Sequence, residues 1–202
     1  MTTLSIFSTG ITRKSNRGDS GEAKNKIATT ALIDRRITEL AVKEGMIDPF
    51  YQECVQPCSY DVHLGDNAVV ETENGFRPLD LSKQTEDDPF LMPPGFFILG
   101  ETVEYFRIPN NVEAHLHLVS SRAREGLNHS LAGLVDCGYE GRLTLELKNS
   151  LQFGFIPLYP GLRIGQLTFF EYSEAAQQPY NGRYFGDSRV SMARDGNDLL
   201  RA

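Results

Sequence analysis

Apolar residues recur along this chain with two different periods. Between Thr30 and Gly45 the spacing is helical, with Leu32, Ile33, Ile37, Leu40, Ala41 and Val42 on one face of a 3.6-residue helix. Gly45 stands where a left-handed residue ends such a helix, and Asp48-Pro49 keeps it from resuming. Beyond that point the pattern shortens to segments 59–64, 68–71, 96–101, 112–118, 142–147, 155–159 and 166–171, rich in Val, Leu, Phe, Tyr and Thr. Gly-Asp, Asn-Gly, Pro-Pro-Gly, Pro-Asn-Asn, Gly-Tyr-Glu-Gly and Pro-Gly punctuate them. Short strands between closely spaced turns predict an all-β sandwich or barrel rather than alternating β/α units, and no fixed repeat points to a propeller or solenoid.

The two ends differ from this middle. Residues 1–27 are rich in Ser, Thr and Gly and set Arg13, Lys14, Arg17, Lys24 and Lys26 against Asp19 and Glu22. Such a segment buries too little apolar surface to offset its ordering entropy, so it reads as a flexible arm. Residues 28–176 form the expected barrel domain, and the polar, Gly-rich stretch 177–202 forms a tail with Tyr180 and Tyr184 as its aromatic points.

Composition narrows the function. A net charge of −7 and a pI near 5.1 over 202 residues argue against capture of nucleic-acid backbones, which needs a basic surface. No apolar run reaches membrane-spanning length, and no signal core opens the chain, so neither membrane nor export is expected. Cys54, Cys58 and Cys137 are sparse and odd in number, which fits reduced thiols in a cytoplasm.

Candidate chemistry then falls by elimination. Cys54-x₃-Cys58 with His63 lacks the second ligand pair of a structural zinc site, and no His-x-Glu accompanies a Pro-Cys-x-x-Cys, as zinc deaminases require. His115 and His117 alternate along a strand and share one side of a sheet. P-loop, Rossmann and nucleophile-elbow patterns are missing. What remains is the block 119–150, where Leu143, Leu145 and Leu147 take one face of a strand and Thr144 and Glu146 the other, beside Arg142 and Lys148. From alternation alone Glu146 faces solvent, as does Glu140 in the preceding turn.

An ordered series of motifs changes that reading. It begins with Val55-Gln56-Pro57-Cys58-Ser59-Tyr60-Asp61-Val62-His63-Leu64-Gly65, followed by Pro94-Gly95-Phe96, Leu99-Gly100-Glu101-Thr102 and Ile108-Pro109. Ser120-Ser121-x-x-Arg124, Ala132-Gly133-Leu134-Val135-Asp136-Cys137-Gly138-Tyr139-Glu140-Gly141 and Thr144-Leu145-Glu146-Leu147 come next. Pro160-Gly161-x-x-Ile164-Gly165-Gln166-Leu167, Pro179-Tyr180 and Arg183-Tyr184-x-Gly186 close the series. From about Ala31 to Arg194 it resembles the dCTP deaminase family within the dUTPase-like superfamily.

The resemblance implies a mainly β, distorted jelly-roll-like barrel with a short N-terminal helix, assembled as a homotrimer with active sites at the interfaces. It implies zinc-free deamination of dCTP to dUTP and ammonia, with Mg²⁺ bound through the triphosphate. By the same resemblance Glu146 is the general base, while Ser120 and Arg124 come from the neighbouring subunit to position the water. Main chain around Ala132, Thr144 and Leu145 reads the base, Asp136 holds the sugar hydroxyl, and Ser121, Tyr139, Gln166, Tyr180, Arg183 and Asp187 complete the substrate contacts. The chain departs from the pattern at Val119 (usually Arg), Leu131 (usually Thr), Cys137 (usually Pro) and Asp187 (usually Gln, beside the phosphates). Two alternatives stand beside the deaminase: an enzyme that carries dCTP or dUTP on to dUMP and pyrophosphate, for which Asp136 and Tyr139 also fit, and a non-catalytic nucleotide sensor.

Overall fold

The expected helix forms, but it starts later than the apolar spacing suggests. Residues 28–130 and 132–194 are described by a computed structural model of the chain. The expected arm (1–27), Leu131 and the end of the expected tail (195–202) lie outside the described residues. Thr29–Ala31 is a strand (β1), and the helix α1 spans Asp34–Glu44. Ile37, Leu40 and Ala41 are buried, whereas Ile33 and Val42 are 58% and 67% exposed and leave the expected stripe. Ile33 precedes the first turn, and Val42 lies about 100° round the helix from Ala41. Gly45 ends the helix at φ 68° with its N–H donated to Leu40 O, as the sequence predicts. Arg36 ties α1 to the sheet through two bonds to the Glu171 carboxylate, at 2.7 and 3.1 Å.

The remaining strands are β2 (Ile47–Asp48), β3 (Val55–Gln56), β4 (Ser59–Thr72), β5 (Gly75–Asp80), β6 (Phe90–Met92), β7 (Phe97–Arg107) and β8 (Val112–Leu118). A short helix, α2 (Ser120–Arg124), leads to β9 (Leu127–His129), β10 (Leu134–Val135), β11 (Glu140–Asn149), β12 (Ile156–Leu158) and β13 (Arg163–Tyr172). The long β4 absorbs two segments that read separately in the sequence, because its pairing moves from β13 at one end to β7 and β5 at the other. The main sheet runs β10-β8-β13-β4-β7-β11-β9 and curls until β8 and β9 touch, forming the expected distorted barrel of jelly-roll type. Strands β12 and β6 make a second, two-stranded sheet. Tyr60, Phe106, Phe169, Leu145 and Leu147 fill the interior. Among the described residues no helix is long and apolar enough to cross a membrane.

Three polar groups brace this interior. Glu104, fully buried, accepts the His63 N–H at 3.0 Å and the Nδ1–H at 2.6 Å, while Cys54 Sγ lies 3.7 Å from His63 Nε2. Burial pushes the Cys54 thiol up to about 11, so it remains a protonated donor; Cys58 is exposed. Asn149 is the second brace: its Nδ2 donates to Met92 O (2.9 Å) and Gly154 O (2.8 Å), and its Oδ1 accepts the Leu151 N–H (2.9 Å). The third is Thr102, whose hydroxyl donates to Glu104 O and accepts the Leu143 N–H.

Asn149→Ala strands three main-chain groups at once and is expected to cost about 3 kcal/mol of stability. Urea unfolding checks this: the midpoint falls with an unchanged slope.

Candidate active site

Strand β11 carries the half-buried polar face that the motifs single out, and its pairing with β7 sets the direction of each side chain. Arg142 pairs with Tyr105, yet Thr144 pairs with Glu101, so three residues of β7 lie against Leu143 alone. Thr102 fills the break by taking the Leu143 N–H at 3.0 Å, and Arg142 Nη1 donates to Thr102 O at 2.8 Å. Beyond the break Leu143, Leu145 and Leu147 are buried, with Thr144 and Glu146 half-buried on the other face. Leu145, expected near the base, is a core side chain and offers only main chain, which the ladder pairs with Gly100.

Glu146 does not face open water. Its Oε2 is shielded from solvent and has no hydrogen-bond partner among the described residues. Burial raises its carboxyl above the ordinary 4.5, against a hydrogen bond from its own backbone that lowers it. The same orphaned condition holds for Arg122 Nε, His129 Nε2 and Asp187 Oδ2. His129 lies in the block 119–150 but is not among the site residues expected from the sequence; its position between the Ser-Ser and Ala-Gly motifs is the available signal. It sits opposite Leu147, and the next residue, Ser130, donates its N–H to Glu146 O at 3.0 Å. Burial, then the nearby His117, hold its imidazole below the ordinary range.

Other expected site residues gather at the start of β11. Tyr139 donates its hydroxyl to Arg142 O at 2.7 Å and lies against Tyr180, with ring centroids 5.6 Å apart. Tyr180 N–H donates to Cys137 O at 2.8 Å, and Gly138 has no room for a Cβ, which would come within 2.6 Å of Pro179. Turn and tail therefore interlock, enclosing a cleft of about 640 Å³ lined by Arg107, Tyr139, Glu140, Tyr180 and Phe185. Glu140 is a strand residue rather than the expected free turn carboxylate: it accepts the Tyr105 hydroxyl at 3.0 Å, with Arg107 Nε 3.8 Å away. Asp136 is exposed, and its carbonyl accepts the Tyr139 N–H at 3.1 Å. Ala132, also exposed, donates its N–H to Ser130 O. Asp187 pairs with Arg194 at 2.7 Å, and its main chain bonds to β11 through Arg142 N–H. The carbonyl of exposed Arg183 accepts from Arg194.

Two groups stay apart. Ser120, Ser121 and Arg124 are exposed on α2, and no hydrogen bond or ion pair joins Ser120 or Arg124 to Glu146 among the described residues. Gln166, on β13, bridges Ser59 and Leu118 O at 3.4 Å each. No group of three His, Cys, Asp or Glu side chains among the described residues is placed to hold a metal ion.

A curled sheet of this topology is shared with a solved deaminase structure. The 2'-deoxycytidine 5'-triphosphate deaminase from Agrobacterium tumefaciens shares the fold with a TM-score of 0.59 at 21% identity, over 71% of this chain and 48% of that one. The chain thus spans about half that protein's length. The dCTP deaminase-like family model matches residues 28–172. The protein named "dCTP deaminase, dUMP-forming" of Persephonella marina is 38% identical over 173 residues, 81% of this chain and 96% of its own. The one of the same name from Leifsonia xyli subsp. xyli is 39% identical over 181 residues, 81% of this chain and 89% of its own. The chain belongs to the dCTP deaminase-like family.

The raised Glu146 carboxyl has a stability consequence. The folded chain holds this proton more tightly than the unfolded chain, so below about pH 4 the group costs nothing. As pH rises through the folded value, the shielded carboxylate ionises and destabilises the fold. Glu146→Gln is therefore expected to raise the melting midpoint near pH 7.5 and leave it unchanged near pH 3.5. Equal shifts at the two pH values would refute the assignment.

Proposed function

We propose that this chain deaminates dCTP with Glu146 as general base and carries the product on to dUMP. The observation that supports it is the Glu146 carboxylate, whose Oε2 is shielded and has no partner among the described residues, with a raised proton affinity. Such a group is suited to take a proton and return it. In the proposed reaction water attacks C4 of cytosine while Oε2 takes its proton, and the tetrahedral carbon forms. That proton passes to N3, the remaining proton of the new C4 hydroxyl passes through Glu146 to the amino group, ammonia leaves, and C4 keeps the oxygen as a carbonyl. The Persephonella marina and Leifsonia xyli relatives are both named as dUMP-forming dCTP deaminases, which supports a second hydrolysis of the triphosphate to dUMP and pyrophosphate over release of dUTP.

Ser120 and Arg124 would orient the water from a neighbouring copy in a homotrimer, since neither bonds to Glu146 among the described residues. Main chain at Ala132, Thr144 and Leu145 would read the base, with Asp136 on the sugar hydroxyl and Tyr139 against the ring. Ser121, Gln166, Tyr180 and Arg183 would complete the base and phosphate contacts. Asp187, one carboxylate oxygen of which is held by Arg194, would stand beside the phosphates. Mg²⁺ would enter on the triphosphate and neutralise its charge; the chain's own residues have no assigned part in holding it.

Glu146→Gln is expected to slow single-turnover deamination by about 10²- to 10⁴-fold while nucleotide binding persists. Glu73→Gln, in the exposed β4–β5 turn, serves as the control. Separating dUTP, dUMP and pyrophosphate after incubation with dCTP and Mg²⁺ tests the product: dUTP as the end product would overturn the second step. Shared sites predict complementation. Glu146→Gln and Arg124→Ala chains, inactive alone, should recover about a quarter of wild-type activity when unfolded together and refolded, since half the sites draw each intact residue. No recovery would exclude interfacial sites.

A further inference from the structure

The described part of the tail is seated on the sheet by a side chain that the proposed chemistry does not use. After the interlock at Tyr180, Gly186 N–H donates to Glu140 O and Arg142 N–H to Asp187 O, both at 2.7 Å, so the tail adds to the edge of β11. It then crosses the strand face. Val190 N–H donates to Glu101 Oε2 at 2.6 Å, and Ser191 N–H donates to Thr144 Oγ1 at 3.3 Å. Glu101 and Thr144 are directly opposed in the β7–β11 pairing, so two successive tail amides are received by one cross-strand pair. Glu146 follows two residues along the same face of β11.

Glu101 is built into this position. It is 2% exposed, and its Oε1 accepts Asn67 Nδ2 at 2.9 Å. A Cβ at residue 65 would lie 2.8 Å from Glu101 Cγ, so Gly65 makes the space the side chain occupies. Oε2 has the Val190 amide as its donor; with the tail lifted, a buried carboxylate oxygen loses that bond. Orphaning a buried charged acceptor is much costlier than losing a surface hydrogen bond.

We propose that Glu101 is the positioning residue that seats the tail over the polar face of β11, and that its carboxylate sets the closed geometry around the nucleotide. The catalytic consequence rests on the deaminase reading; the seating itself does not. Glu101→Leu is expected to speed amide exchange at 189–192 by about 10- to 100-fold, with β7 and β11 protection unchanged. In turnover it should lower kcat by about tenfold with a smaller change in KM. Glu101→Gln, which retains an acceptor oxygen, should restore both. Val190→Pro removes the donor N–H in the full chain and should reproduce the Leu phenotype, with the double variant no worse than either single. Wild-type exchange in both Glu101→Leu and Val190→Pro, or additive effects in the double variant, would overturn the proposal. If Glu101→Leu fails to fold, Val190→Pro alone decides it. If the chain deaminates nothing, exchange still reports the seating, which separates the two failures.

Discussion

The break in register between β7 and β11 is the constraint on which the rest of this structure depends. Leu143 must be matched by Thr102, Val103 and Glu104, and a ladder cannot absorb that mismatch without stranding main-chain groups. Thr102 solves it locally, donating to one stranded carbonyl and accepting the Leu143 amide. The same break turns Glu104 inward to His63, which joins the β7 side of the barrel to β4. It also sets Glu101 opposite Thr144 and Leu99 opposite Glu146. A regular ladder through this region would keep each residue on its face but set Val103 opposite Thr144 and Glu101 opposite Glu146.

Seen energetically, the site is an incomplete polar interior. The core satisfies its polar groups closely, as Asn149 and Glu104 show, yet Glu146, His129, Arg122 and Asp187 each keep a buried atom without a partner among the described residues. A folded chain tolerates such groups where something further completes them. Exposed Ser120 and Arg124 on α2 are the converse: polar groups presented outward with no side-chain hydrogen bond or ion pair among the described residues. The proposed site shared between copies would reconcile the two conditions, with the nucleotide as the source of the remaining acceptors and donors.

The tail shows how main chain can substitute for side-chain chemistry. Gly141, at φ 146°, lets β11 approach Asp187 closely enough for the Arg142 amide to bond to its carbonyl. Asp187 then directs its carboxylate to Arg194, whose guanidinium also lies over the Tyr184 ring. The charge that sequence comparison sets against phosphate is thereby engaged within the tail.

Much of this was legible in the amino-acid order because local rules govern it. Gly45 ends α1 where the spacing predicts, Val112–Leu118 forms as one strand, and the alternation along β11 buries its three leucines. Elements with weak periodicity were not legible: β5 carries Pro78 at a sheet margin, and β6 is three residues whose partner, β12, lies over sixty positions away. Alternation separates the two faces of β11 but cannot tell water from a shielded site, since that depends on what covers the polar face. Shielding of Glu146, pairing of Glu104 with His63 and seating of Val190 on Glu101 all join residues distant in the chain. Those contacts arise only when the sheet has curled and its register has slipped, so tertiary structure alone decided them.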